Sequence, residues 1–355
     1  MNQKNNTHYR VVGTWVMIGV GMLIIMVVLG GITRLTGSGL SITEWDVIMG
    51  TVPPLNHDQW LEAFNKYKQT PQYHLLNYDF TLSDFKFIFF WEWFHRLWGR
   101  LIGLAFLVPF IYFLRKKRIT KDMVRPLIIL FVFGALQGAV GYIMVLSGLD
   151  GDDVYVEPTR LALHFIFAMS LIAYAFWTGL KWLASDQTTF NPGFRKSFSR
   201  ILVLIFVQFI FGALLAGLKG AVAAPTWPDI NGAIVPGNMF SESPWYINLV
   251  ENKITIHFIH RFLAYLILLE IIFFTIRAFK ISGSQLFRKT RIVPLILVLI
   301  QALLGIAAVL NSPHSTPGKW GIFEWLAQFH QIIGMLLLLS MVLMYFLFKP
   351  ARQQP

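Results

Sequence analysis

The chain has 355 residues, of which 55% are hydrophobic and only 14% charged, with a mean hydropathy of +0.58. That balance excludes an ordinary soluble protein and places the chain among polytopic membrane proteins. Cysteine is absent. Disulfides, zinc-thiolate sites and iron–sulfur clusters are therefore excluded, and any transition metal must be held by His, Met or carboxylate.

The first ten residues are polar and run straight into a long apolar stretch, with neither a cleavable signal peptide nor an Arg-rich transit peptide. Eight apolar segments are long enough to span roughly 30 Å of hydrocarbon at about 20 residues each. They lie near 12–33, 87–114, 124–147, 160–183, 199–218, 254–279, 291–310 and 323–348. The expected fold is an all-α polytopic membrane protein.

Charge orients these segments. Arg115, Lys116, Lys117, Arg118, Lys121 and Arg125 follow the second, Lys181, Arg195, Lys196 and Arg200 the fourth, and Arg277, Lys280, Arg288, Lys289 and Arg291 the sixth. Most acids, among them Glu44, Asp46, Asp84, Asp150, Asp152, Glu157, Asp229 and Glu251, fall in the opposite loops. By the positive-inside rule both termini are cytoplasmic. The net charge of +12 is thus membrane topology, and no nucleic-acid partner is expected.

The chain repeats itself. Gln137-Gly138-Ala139-Val140-Gly141 in the third segment aligns with Gln301-Ala302-Leu303-Leu304-Gly305 in the seventh. Glu44-Trp45-Asp46 and Pro53 after the first align with Trp227-Pro228-Asp229 and Pro236 after the fifth. Four segments per copy is an even number, so both copies enter the membrane in the same direction, as a parallel duplication. We expect two pseudo-symmetric four-helix bundles, 1–190 and 191–355. The longer first outer loop (34–86) and its partner (219–253) are both large enough to form a cap.

Two charged patches interrupt the apolar runs: Glu92-Trp93-Phe94-His95-Arg96 and His257-Phe258-Ile259-His260-Arg261. Residues i and i+3 share a helix face, and ionisable groups at membrane depth are functional candidates by default. Of nine histidines, His8, His57, His74 and His314 lie in tails or loops. His95, His164, His260 and His330 instead fall one in each even-numbered segment, roughly 6–14 Å inside its outer end at 1.5 Å per residue. His95 matches His260 at an offset of 165, and His164 matches His330 at 166.

Each such histidine alone is as consistent with helix packing as with ligation. Four at repeat-related positions and one depth point to ligation. A lone ion usually takes three or four protein ligands, whereas each copy offers two matched imidazoles. Two axial imidazoles suit a haem, whose porphyrin supplies four nitrogens. Gly99, Gly103 and Gly334 offer room for a flat ring, although small residues also serve ordinary helix packing. Arg96 and Arg261 are candidates for pairing with haem propionates, with snorkelling to the interface as the alternative. Three residues before its histidine the first copy has Glu92 and the second His257. A carboxylate there can move a proton or stabilise positive charge, so the first pocket reads as chemical and the second as an electron store.

Longer motifs now enter: residues 30–42 (Gly-Gly-Ile-Thr-Arg-Leu-Thr-Gly-Ser-Gly-Leu-Ser-Ile) leading to Glu44-Trp45, and Phe90-Trp91-Glu92-Trp93-Phe94-His95-Arg96. With Leu163-His164, Ile259-His260-Arg261 and Gln328-Phe329-His330-Gln331 they span nearly the whole chain. Together they resemble the haem A synthase family, and the absence of cysteine resembles its cysteine-free branch. The resemblance implies an oxidoreductase with eight helices in two halves. Its activity would be conversion of haem O to haem A, oxidising the C8 methyl to a formyl in two successive hydroxylations for terminal oxidases. It further implies haem b held by His260 and His330, a substrate-haem pocket at His95 and His164, and Glu92 as its essential carboxylate.

The expected setting is a bacterial inner membrane with the haem sites toward the outer face. A protohaem farnesyltransferase would supply haem O, membrane lipid surrounds the chain, and the electron donor and any homo-oligomer are left open. The rival is a di-haem b cytochrome shuttling electrons to or from quinone. A solute transporter is disfavoured, because the polar groups cluster on one side and broken helices are not evident.

Overall fold

A computed structural model describes residues 3–44, 49–149, 153–315 and 319–349. Trp45, Asp46, Asp150 and Asp152, named above, lie outside the described residues. The protein is all-α and multi-pass, with eight helices long and apolar enough to cross a membrane. These are α1 (Gln3–Leu35), α2 (Leu82–Arg115), α3 (Lys121–Leu149), α4 (Pro158–Leu183), α5 (Pro192–Gly217), α6 (Lys253–Ala278), α7 (Val293–Asn311) and α8 (Ile322–Leu347).

Several helices begin before their apolar runs do, because capping rather than hydropathy starts a helix. The α2 start is a capping box: the Asp84 N–H donates to the Thr81 hydroxyl, and the Asp84 carboxylate accepts from the Thr81 N–H. At α5 the Asn191 side chain accepts from the Phe194 N–H and Pro192 opens the helix, seven residues ahead of the apolar stretch.

In the long outer loop two short helices, His57–Tyr67 and Pro71–Leu76, fold onto the projecting first turns of α2. Phe64, Tyr67, Phe85, Ile88 and Phe89 form a separate apolar core there. The first loop is thus a built cap with its own stability. On the opposite side, a two-residue parallel strand pair joins Thr189–Phe190 to Phe348–Lys349.

The main core sits toward the ends of the bundle that carry the chain termini, where Val12 and Val16 of α1, Met169 and Ile172 of α4, Phe198 and Ile201 of α5 and Leu338 and Met341 of α8 are buried together. α8 is the most enclosed helix. It packs against α7, α4, α5 and α1. Contacts within the first four helices recur in the last four: α1 meets α2 and α4, and α3 meets α4, as α5 meets α6 and α8, and α7 meets α8. A backbone detail recurs too. Gly37 (φ 69) and Lys219 (φ 50) are both left-handed residues that open a 3₁₀ turn just beyond α1 and α5. The copies differ at one seam: α6 and α7 pack along each other, whereas α2 and α3 scarcely touch.

Candidate functional site

Toward the ends of the bundle away from the chain termini, each even-numbered helix lays its histidine against a glycine of the helix before it. A Cβ built on Gly30 would lie 3.1 Å from Cε1 of His95, and one on Gly141 2.8 Å from that of His164. Gly212 and Gly305 stand in the same relation to His260 and His330, at 3.0 and 2.9 Å. Only a residue without a side chain lets the ring come so close. In lipid, where apolar surface drives little helix association, such close approach is a main source of specific packing. Gly141→Val is therefore expected to push the His164 ring away from α3 and lower the haem content of the purified protein severalfold, as overpacking typically costs about 1–3 kcal/mol. Haem content per purified protein measures it, and Gly138→Val, with nothing within 4 Å of its Cβ position, is the control.

His260 and His330 face each other with ring centroids 6.4 Å apart and planes at 65°. Two metal–nitrogen bonds of about 2 Å each, with the imidazole rings beyond them, need about this separation. The Nδ1 of His330 donates to the backbone carbonyl of Gln301 at 3.0 Å, the arrangement that leaves Nε2 for a metal. His95 and His164 hold the equivalent places on α2 and α4, each against a glycine of the preceding helix. Among the described residues no cluster of three or more His, Cys, Asp or Glu could hold a bare metal ion. The donor set is two pairs of imidazoles, which fits haem rather than a lone ion.

Glu92 is not open to its surroundings. It is buried at 3% exposure. Its Oε2 accepts from the N–H and hydroxyl of Ser41, both at 2.7 Å, and from the N–H of Ile42 at 2.9 Å. Its Oε1 pairs with Arg96 at 2.5 Å. The Arg96 guanidinium also donates to the carbonyls of Glu44 and Ile42, so α2 and the loop after α1 are tied by one charged knot. The second copy has the same knot in another chemistry. Arg261 donates to Nδ1 of His257 at 3.0 Å and to the carbonyls of Asp229 and Ala224 at 2.7 and 3.0 Å. Both arginines thus address loop carbonyls as well as their helix partners.

The motif reading did not single out Ser41 and Ile42 as partners of Glu92, nor Gln208 and Gly212 behind His260. Ser41 and Ile42 close the glycine-rich stretch 30–42, and Gln208-x-x-x-Gly212 has the spacing of Gln137 to Gly141 and Gln301 to Gly305. That spacing was the available signal for the second pair.

At the rim between the copies, the Lys219 ammonium sits 3.5 Å over the Tyr155 ring. Burial, and then the charge of Arg34, pull its pKa from 10.5 down to about 8. The folded chain therefore holds fewer protons than the unfolded one between those values, and stability rises with pH across that window. The unfolding temperature in detergent is expected to increase from pH 8 toward 10, and Lys219→Met to flatten that rise.

A cleft of about 130 Å³ opens between α2 and α3, bounded by Ile42, Arg96, Tyr142 and Leu146. It lies at the seam where those helices scarcely touch.

The sequence pattern of the COX15-CtaA family, described as cytochrome oxidase assembly protein, matches residues 13–342. Relatives named "Heme A synthase" include one from Parvibaculum lavamentivorans, 44% identical over 271 residues, covering 76% of this chain and 78% of that protein. Another, from Nitrosomonas eutropha, is 40% identical over 317 residues, covering 88% and 89%. A third, from Bradyrhizobium diazoefficiens, is 41% identical over 305 residues, covering 85% and 84%. With four histidines toward one end of the membrane helices and matches of this extent, the chain belongs to the COX15-CtaA family of cytochrome oxidase assembly proteins.

Proposed function

We propose that this chain is a haem A synthase, an oxidoreductase converting haem O to haem A, and that its two halves divide the work. In this reading the half 1–190 takes haem O between His95 and His164, and the C8 methyl is oxidised there to a formyl in two successive hydroxylations. The half 191–355 keeps a resident haem b between His260 and His330. The main support for the division is the unequal seam: α2 and α3 leave a cleft, whereas α6 and α7 pack along each other. A substrate that must come and go needs an open pocket, and a resident group is better served by a closed one.

The roles of the residues follow from their surroundings. His260 and His330 would hold the iron of the resident haem, and Gln301 orients the second imidazole through its backbone carbonyl. When bound, the resident haem supplies one-electron transfer. Glu92 holds the loop at 41–44 over the first pocket through Ser41, Ile42 and Arg96, and its Oε1, shared with Arg96, is the atom at which a proton can be taken or given. Arg96 and Arg261 stand at the rim of their pockets as candidates for pairing with propionate oxygens. The farnesyl tail of haem O would pass through the α2–α3 cleft into lipid, which permits delivery from a protohaem farnesyltransferase in the same bilayer. In this reading the location is a bacterial inner membrane, with both termini cytoplasmic and the haem sites facing outward, an orientation that the basic loops support.

The test is expression with and without a haem O-producing partner, followed by chromatography of the extracted haems. Haem A appearing only with the partner is expected. Haem b alone under both conditions would identify the chain as a di-haem electron shuttle and sink the proposal.

A further inference from the structure

An open groove of about 340 Å³ lies between α5 and α6. It sits at the end of the bundle that carries the chain termini, since the Phe194 ring on its inner side lies 5.4 Å from that of Phe348. Leu269 and Phe273 of α6 line it and are 59% and 70% exposed. On a helix that crosses a membrane, such residues face lipid.

Charged side chains line the same groove. Arg200 and Glu270 pair across it at 2.5 Å. Each stands eight residues from its helix end, at Pro192 and Ala278, or roughly 12 Å along the helix at 1.5 Å per residue. Arg277 lies two turns beyond Glu270, with its guanidinium 5.5 Å from the Phe194 ring centroid and no ion pair among the described residues. The Ser197 hydroxyl, on the α5 side, makes only a long bond of 3.4 Å to the Gly193 carbonyl. Two arginines against one glutamate leave the groove with one net positive charge.

The first copy closes the equivalent seam. Aligning Gly30 with Gly212 and His95 with His260 sets Trp15 against Ser197, Ile18 against Arg200, Ala105 against Glu270 and Tyr112 against Arg277. The Trp15 ring packs on Phe106 and Phe113, with centroids 5.2 and 5.4 Å away, and its indole N–H donates to the Ala105 carbonyl at 2.9 Å. A serine cannot span that gap. The second copy thus has an opening where the first has an indole, and three ionisable groups where the first has none. Ionisable groups on the face of a membrane helix are costly without a function.

We propose that the α5–α6 groove holds one anionic phospholipid of the surrounding leaflet. Its phosphodiester accepts hydrogen bonds from Arg277 and Ser197, and its glycerol and first acyl carbons lie along Leu269 and Phe273. Arg200 is already neutralised by Glu270, so a headgroup with a single negative charge balances the groove. Basic pockets between membrane helices are suited to such headgroups. The lipid fills the seam between α5 and α6 as Trp15 fills that between α1 and α2.

Native mass spectrometry of the full chain in detergent, titrated with phosphatidylglycerol, reads the occupancy. One tightly held phosphatidylglycerol per chain is expected, with phosphatidylcholine bound at least fivefold more weakly and free glycerol phosphate not retained. Arg277→Gln should weaken phosphatidylglycerol binding about fivefold, the scale of one basic residue beside an anionic surface. Ser197→Trp, which copies the closed seam, should expel the lipid with every charge in place, and Ser197→Leu gives the same readout at smaller bulk. Arg115→Gln, at the matching end of α2, should change nothing. Unchanged phosphatidylglycerol binding in Arg277→Gln, or in both position-197 variants, would overturn the proposal. Equal binding of phosphatidylcholine would do so too, by showing that the arginines merely reach for the interface, and retention of glycerol phosphate would reassign the groove to a free phosphate.

Discussion

Glu92→Gln is expected to reduce haem A formation by about 10²- to 10⁴-fold, the usual scale for removing a general acid or base, while the low-spin haem b signal of the C-terminal half persists. The choice of variant matters because Glu92 does two jobs. It neutralises Arg96 and accepts three hydrogen bonds from Ser41 and Ile42. Alanine would leave a buried guanidinium unpaired, at a cost of about 3–5 kcal/mol, and the loop at 41–44 would come loose with it. Loss of haem A in Glu92→Ala would therefore not separate chemistry from architecture. Glutamine keeps the shape and one carbonyl oxygen for the Ser41 and Ile42 donors, while an amide NH2 replaces the charged oxygen facing Arg96, whose bonds to the Glu44 and Ile42 carbonyls remain to hold the loop. Ser41→Ala completes the comparison: it deletes one of the three donors to Oε2 and is expected to lower haem A formation far less than Glu92→Gln. Haem A per unit of membrane-inserted protein, set beside the haem b spectrum, is the measurement. Full haem A formation by Glu92→Gln would remove the carboxylate from the chemistry and leave it as the pin of the cap.

His260→Ala and His330→Ala should each lose the low-spin spectrum of the resident haem, with haem b content falling by about tenfold or more. Two facing imidazoles at 6.4 Å form a clamp that one ring cannot replace, and metal-site stability depends on both ligands and their supporting partners. His330 should be the more damaging loss, since its Nδ1 is fixed on the Gln301 carbonyl while that of His260 has no such anchor. His257→Ala is the control on the same helix. Its ring is bound to Arg261 through Nδ1 and is expected to affect the loop at 224–229 rather than the haem spectrum. Retention of a full low-spin signal in His260→Ala would reject the ligand assignment. Loss of it in His257→Ala alone would move the assignment by one turn.

The two knots show how a duplicated bundle can diverge at small cost. Arg96 and Arg261 hold the same kind of loop carbonyls from equivalent helices, and only the residue four before each arginine differs. A carboxylate there carries negative charge beside the first pocket, whereas an imidazole need not carry any. The two knots share their loop contacts and differ at the single position held by Glu92 in one and His257 in the other.

Eight spans and the four histidines were legible in the residues alone, because hydropathy and repeat offset are local properties of a chain. The membrane strengthens this, since every backbone group in hydrocarbon must bond within its own helix. Helix starts were less legible. The α5 start lies among the polar residues Asn191 to Lys196 and is set by a cap that hydropathy does not register. What only the tertiary structure decided is which groups meet. Glu92 finds Ser41 fifty-one residues away, each imidazole finds its glycine on a neighbouring helix, and α8, no more apolar than several others, becomes the enclosed one. The open seam between α2 and α3 is likewise invisible in the sequence of either helix. In lipid the apolar faces of all eight helices are nearly equivalent, so partners are chosen by close small-residue approach and a few hydrogen bonds between distant positions. These depend on three-dimensional fit, which no local pattern encodes.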